Sequence, residues 1–182
     1  MMIPALNISC LVLRKPEMSK AKKLLRQKLL SLAQENNGGN PTRILLHLTL
    51  FEKVFLNPAK LPLIHNYSDS CQARISVYQL EELIAEKIRT ILQRAFPRDF
   101  YDVWNVLKFH LQLIDTKQMK DVFLKKCEYK KVNPVNWNEY LQSEQVMGKA
   151  SHFNNSLDRQ IKDVPKFKDV IDDLRDILAS FF

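Results

Sequence analysis

From Gln79 onward the apolar residues recur at helical spacing, and before it they fall in short runs or loose alternation. In the first part, Ile8 to Leu13 is a short apolar run stopped by Arg14, Lys15 and Pro16, which suits a buried strand. EMSKAKKLLRQKLLSLAQEN then sets Leu24, Leu25, Leu29 and Leu32 on one face of an amphipathic helix that ends at Asn37, Gly38 and Gly39. RILLHLTLFEKVF alternates loosely after His47 and fits a strand. Pro58 and Pro62 break the next stretch, a loop runs through HNYSDSC, and QARISVY fits a second short strand.

In the second part the pattern predicts helices over QLEELIAEKIRTILQR, RDFYDVWNVLKFHLQL and KQMKDVFLKKC, a weaker one near Trp137 to Val146, and a last one from Lys166 to Phe181. Strands first and helices after indicate a helix-rich α+β fold, a partial sheet with a helical bundle attached. The boundary between the two characters divides the chain into residues 1–78 and 79–182.

Within the first of these helices Leu80, Leu83, Ile84, Ile88, Ile91 and Leu92 form one stripe, and Glu82, Glu86, Arg89 and Gln93 the opposite face. Lys87 lies inside the stripe, between the directions of Leu80 and Leu83, and Arg94 follows the same line two turns later. Either their stems snorkel over apolar neighbours, or they enter a polar pocket where a desolvated cation needs a carboxylate or phosphate. In PRDFYDVWNVL, Asp99 projects between Val103 and Val106, and Asp102 lies on the border of that apolar arc. Asp99 could simply satisfy first-turn amides, and Arg98 and Asp102, spaced i to i+4, could form a surface pair. The sharper reading is that Lys87, Arg94 and Asp99 converge across the short turn between the helices. The ammonium then sits on a nucleotide phosphate with Asp99 or Asp102 orienting it; the alternative is a buried structural ion pair.

Composition narrows the classes. The chain has 182 residues, 46% of them hydrophobic, and 3 glycines against 8 prolines, a composition for a packed core rather than for disorder or collagen. A net charge of +8 permits a polyanionic partner without identifying one, the lysines and arginines being densest at Lys20 to Lys28 and Lys125 to Lys131. Cys10, Cys71 and Cys127 are too scattered for a disulfide framework or a zinc site, which points to a reducing, cytoplasmic setting. The opening apolar stretch has no basic leader or cleavage site, and no stretch approaches the ~20 apolar residues of a membrane span, so no membrane is expected.

The stretch ISVYQLEELIAEKIRTILQRAFPRDFYDVWNVL resembles the signature of the AbiEii/AbiGii nucleotidyltransferase toxins, a leader such as LEELxAEKxRALxQR followed closely by RDxYDxW. Leu80, Glu81, Glu82, Ala85, Glu86, Lys87, Arg89, Leu92, Arg94, Arg98, Asp99, Tyr101, Asp102 and Trp104 fall where that pattern expects them. The resemblance extends over about residues 42–182. It implies the remnant of a nucleotidyltransferase-type sheet over residues 1–78, followed by a C-terminal helical bundle over 79–182. By resemblance Lys87 corresponds to the family's active-site lysine and the aspartate of its last motif falls on Asp99 or Asp102; Arg94 and Arg98 are the candidate substrate-binding cations beside them. It also implies Mg²⁺ and a nucleoside triphosphate as cofactor and substrate, tRNA or another RNA as target, and a cognate antitoxin as protein partner.

Two departures qualify that resemblance. Family members open with a Gly-Gly or Gly-Ser turn and a strand-borne DxD pair that holds Mg²⁺, whereas here Gly38 and Gly39 precede a proline and an apolar strand without Asp. Asp172 and Asp173 are adjacent on a C-terminal helix and cannot replace such a pair, and His47 stands where the family often carries an acidic residue. The sequence therefore reads as a truncated family member lacking most metal ligands and inactive by itself, with a non-catalytic basic module for RNA or a partner protein as the alternative.

Overall fold

The computed structural model describes residues 52–63, 72–158 and 160–182, which form two compact units. The expected strand at Ile8 to Leu13, the helix over residues 17–36, most of RILLHLTLFEKVF with His47, and the HNYSDSC loop lie outside the described residues.

One unit contains a hairpin, β1 (Ala59–Pro62) antiparallel to β2 (Arg74–Val77), with Ala59 opposite Val77 and Pro62 opposite Arg74. β2 is the strand expected within QARISVY. β1 corrects the reading of Pro58 and Pro62 as breakers. One proline precedes the strand and the other ends it, where a missing N–H interrupts the ladder least. Arg74 ties the pair together, its Nη2 donating to the Lys60 carbonyl at 2.7 Å.

The other unit comprises residues 53–57 and 78–182. Its helices are α1 (Leu80–Arg94), α2 (Pro97–Phe109), α3 (Thr116–Lys130), the short α4 (Trp137–Tyr140) and α5 (Glu144–Met147), α6 (Ala150–Leu157) and α7 (Phe167–Phe181). The helix-rich α+β fold expected from the order of patterns is the one observed. The finer boundaries differ. Residues 52–55 carry no strand, α2 stops at Phe109 with a 3-10 turn at Leu111–Leu113, and the segment near Trp137 is two short helices rather than one.

Local chemistry sets these ends. Pro97 opens α2 at a position where its absent N–H is one of the helix's unpaired donors anyway. Asp115 caps α3 by accepting from the Gln118 amide at 3.0 Å. α1 and α3 both end on a left-handed residue, Ala95 and Lys131, a conformation usually given to glycine.

α1 packs on both α2 and α3, and α2 packs in turn on α6 and α7. Ile84, Ile88 and Ile91 of α1 are buried with Phe100, Val103 and Leu107 of α2 and Met119 and Phe123 of α3, while Phe167 of α7 sets its ring edge-on to Phe100. Because α1 is covered on two sides, its polar face is not solvated as the helical wheel suggested: Glu82 and Arg89 are fully buried. The buried Glu82 charge is compensated by Lys126, a cation that α3 supplies from its own apolar face, and the buried Arg89 charge by Glu86 of α1 itself.

Candidate functional site

Lys87 and Arg94 leave α1 on the side that faces α2, and Asp99 and Asp102 leave the first turns of α2. The tight left-handed link at Ala95 folds one helix back beside the other, so the four side chains meet. Lys87 Nζ donates to Asp99 Oδ1 at 3.1 Å and to Asp102 Oδ2 at 2.7 Å. Arg94 grips the same Asp99 with two bonds, Nε to Oδ2 at 2.8 Å and Nη2 to Oδ1 at 3.1 Å.

Exposure is graded across this group. The Asp99 side chain is 2% exposed, that of Lys87 30% and that of Arg94 46%, so a buried carboxylate holds two cations whose side chains are partly exposed. Burial alone pulls the Lys87 ammonium down. The hydrogen bond and charge of Asp102, reinforced by Asp99, outweigh it and leave Lys87 above the ordinary lysine value. Lys87 is therefore charged at neutral pH, with one of its three protons not committed to these carboxylates.

Arg98 is not part of this group. Its Nε donates to the Ser156 carbonyl of α6 at 3.2 Å, and Asp102, its candidate surface partner, is bound to Lys87 instead. The geometry brings Lys87 into contact with both Asp99 and Asp102, so the two sequence alternatives act on one ammonium.

A second ionic group was missed. Glu82 Oε2 accepts from the backbone amides of Phe55 and Leu56 at 3.1 and 2.9 Å, and its Oε1 stands 2.6 Å from Lys126 Nζ. Lys126 also lies 3.1 Å from Glu86 and donates to the Lys53 carbonyl at 3.2 Å, while Arg89 binds both Glu86 and Gln93. The sequence did hold a signal: Met119, Val122, Phe123, Lys126 and Cys127 follow helical spacing, so Lys126 breaks an apolar stripe just as Lys87 does.

Asp172 and Asp173 on α7 are separately engaged. Asp172 pairs with Lys168 at 2.6 Å and Arg175 at 3.2 Å; Asp173 accepts from Trp104 Nε1 at 2.7 Å and from Lys108.

A family model described as nucleotidyl transferase AbiEii toxin, type IV TA system, matches residues 15–180. The chain belongs to the AbiEii family. The match starts well before residue 42 and takes in the first amphipathic pattern as well as the paired motifs. No curated protein and no solved structure matches the chain. Nucleotidyl transfer and membership in a toxin–antitoxin pair are thus properties of the family to which these helices belong.

The described residues do not fit the Mg²⁺ ion that AbiEii nucleotidyl transfer implies. They contain no group of three or more His, Cys, Asp or Glu side chains placed to hold a metal, and Asp99 and Asp102 already face cations. Among the described residues, no helix is long and apolar enough to cross a membrane.

Proposed function

We propose that this chain is the phosphate-facing part of an AbiEii nucleotidyltransferase toxin. Lys87 presents an ammonium to the nucleotide phosphates, Asp99 and Asp102 orient it, and Arg94 adds a second cation beside it. The observation that carries this reading is the double anchorage of Lys87 at 3.1 and 2.7 Å in a side chain that is 30% exposed, a cation fixed in direction on a side chain that is not sealed from solvent. In this reading residues 79–182 are the helical domain that carries the paired motifs. The protein works in the cytoplasm, where tRNA or another RNA and a cognate antitoxin are its partners.

The chain is inactive by itself in nucleotidyl transfer, because no two acidic residues in its sequence are separated by one residue as a DxD pair requires. Metal-assisted attack on an α-phosphate needs such carboxylates, and Lys87 supplies only positive charge. The test is incubation of the purified chain with Mg²⁺, labelled nucleoside triphosphates and tRNA. No labelling is expected, and robust labelling abolished by Lys87→Ala would overturn the claim of inactivity.

A second reading, a non-catalytic RNA-binding module, is favoured by the net charge of +8 and by the exposed Lys117, Lys125 and Lys131 on and just beyond α3. Binding through phosphates falls steeply as salt rises. RNA affinity that is absent at low salt, or flat across a salt series, removes this reading.

A further inference from the structure

Phe96 is out of keeping with the helices on either side of it. α1 and α2 bury nearly every large apolar residue that faces the core, yet Phe96, between them, is 53% exposed. The backbone explains how. Ala95 adopts φ 46 and ψ 46, is fully buried, and donates its amide to the Ile91 carbonyl at 3.0 Å. With the Ala95 methyl plugged into the core, Phe96 comes next as the extended residue before α2, and Pro97 restricts the backbone of the residue before it.

The exposed ring is tied to the ionic group. The Arg94 guanidinium carbon lies 4.8 Å from the ring centroid, and the same guanidinium is held by two hydrogen bonds to Asp99, which also binds Lys87. An aromatic surface is thereby held one side chain away from a fixed ammonium. Lys87 and Arg94 both retain N–H donors beyond those given to the carboxylates, so a phosphate can be met there without dismantling the group.

We propose that Phe96 is a stacking platform for a nucleobase whose phosphates are met by Lys87 and Arg94. The inference rests on the reading of Lys87 as a phosphate-facing cation and adds the part of the ligand that the cations cannot recognise. Every base offers a flat π-face, so a lone phenylalanine ring accepts it with little base preference, and a guanidinium lying over that ring restricts its motion. The base can belong to a free nucleotide or to a single-stranded RNA, since both place a phosphate within a ribose of a base.

The test uses the full chain as wild type, Phe96→Ala, Phe96→Trp and Lys87→Ala. The probes are 2-aminopurine riboside triphosphate, a single-stranded oligoribonucleotide carrying one 2-aminopurine, and inorganic tripolyphosphate followed by calorimetry. Stacking quenches 2-aminopurine. In Phe96→Ala the base-bearing probe should lose quenching and weaken by roughly 5- to 100-fold, while tripolyphosphate affinity stays unchanged and Phe96→Trp retains binding. The probe that responds identifies nucleotide or RNA strand as the source of the base. Unchanged affinity in Phe96→Ala, an equal loss for tripolyphosphate, or no quenching of either probe by the wild type overturns the inference. Undiminished tripolyphosphate binding by Lys87→Ala instead overturns the phosphate-facing reading of Lys87, so the two failures are distinguishable.

Discussion

Replacing Glu82 by glutamine tests the buried ion cluster that joins α1, α3 and residues 53–57. The side chains of Glu82 and Lys126 are 0% and 4% exposed, so neither charge can turn to water when its partner is lost. A glutamine amide oxygen can still accept from the Phe55 and Leu56 amides, so those two bonds are retained in kind. What changes is the atom 2.6 Å from Lys126 Nζ, where a carboxylate oxygen gives way to an amide nitrogen that cannot balance the charge. Breaking one side of a buried ion pair costs about 3–5 kcal/mol, against a total domain stability of roughly 5–15 kcal/mol. For a chain of 182 residues this lowers Tm by about 6–20 °C.

Thermal and urea unfolding followed by circular dichroism provides the measurement. A paired control removes both charges: Glu82→Gln combined with Lys126→Met should recover most of the loss, because Glu86 keeps Arg89 as a partner. Asp99→Asn is a second control. Its partners Lys87 and Arg94 are 30% and 46% exposed and can find water, so its cost is about 1–2 kcal/mol. A Tm change under about 2 °C for Glu82→Gln, or a double variant no more stable than the single one, would refute the claim that an uncompensated buried charge dominates.

Two more outcomes are expected from the same structure. Burial pushes the Cys127 thiol up to about 11, the Arg89 charge opposing and the Glu86 charge adding to the rise, so the folded state holds its proton. In a variant with only Cys127 left (Cys10→Ser, Cys71→Ser), disulfide-exchange reagent at pH 8 should react at least about 100-fold slower with native than with urea-unfolded protein, and equal rates would contradict this. Because the folded value lies above the unfolded one of 9.0, the associated stability is complete below pH 9 and is lost as pH rises towards about 11. Lys131 is exposed and left-handed at φ 55, so Lys131→Gly should gain about 0.5–1 kcal/mol and raise Tm by roughly 1–4 °C; a lower Tm would show that its backbone is not strained.

How much of this was legible in the chain differs from one residue to the next. Helical periodicity alone placed α1, α2, α3 and α7 near their observed positions, because a stripe of Ile84, Ile88 and Ile91 can be buried on one side only as a helix. It also exposed Lys87 as a cation on an apolar face, and the ordered motifs around it pointed to the AbiEii family. The same pattern could not show that Glu82 and Arg89 are buried, since one helix's wheel is silent about how many neighbours cover it. Covering the second face required α3, and Lys126 on that helix lies 44 residues beyond Glu82 in the chain. Likewise sequence left open whether Asp99 or Asp102 meets Lys87, and whether Arg98 joins them. A left-handed turn at Ala95 set the angle between α1 and α2, placing both carboxylates on one ammonium while Arg98 bound α6. Periodicity is a property of one segment and is written in its residues; a shared proton or a balanced buried charge depends on distances between segments, and those exist only once the helices have packed.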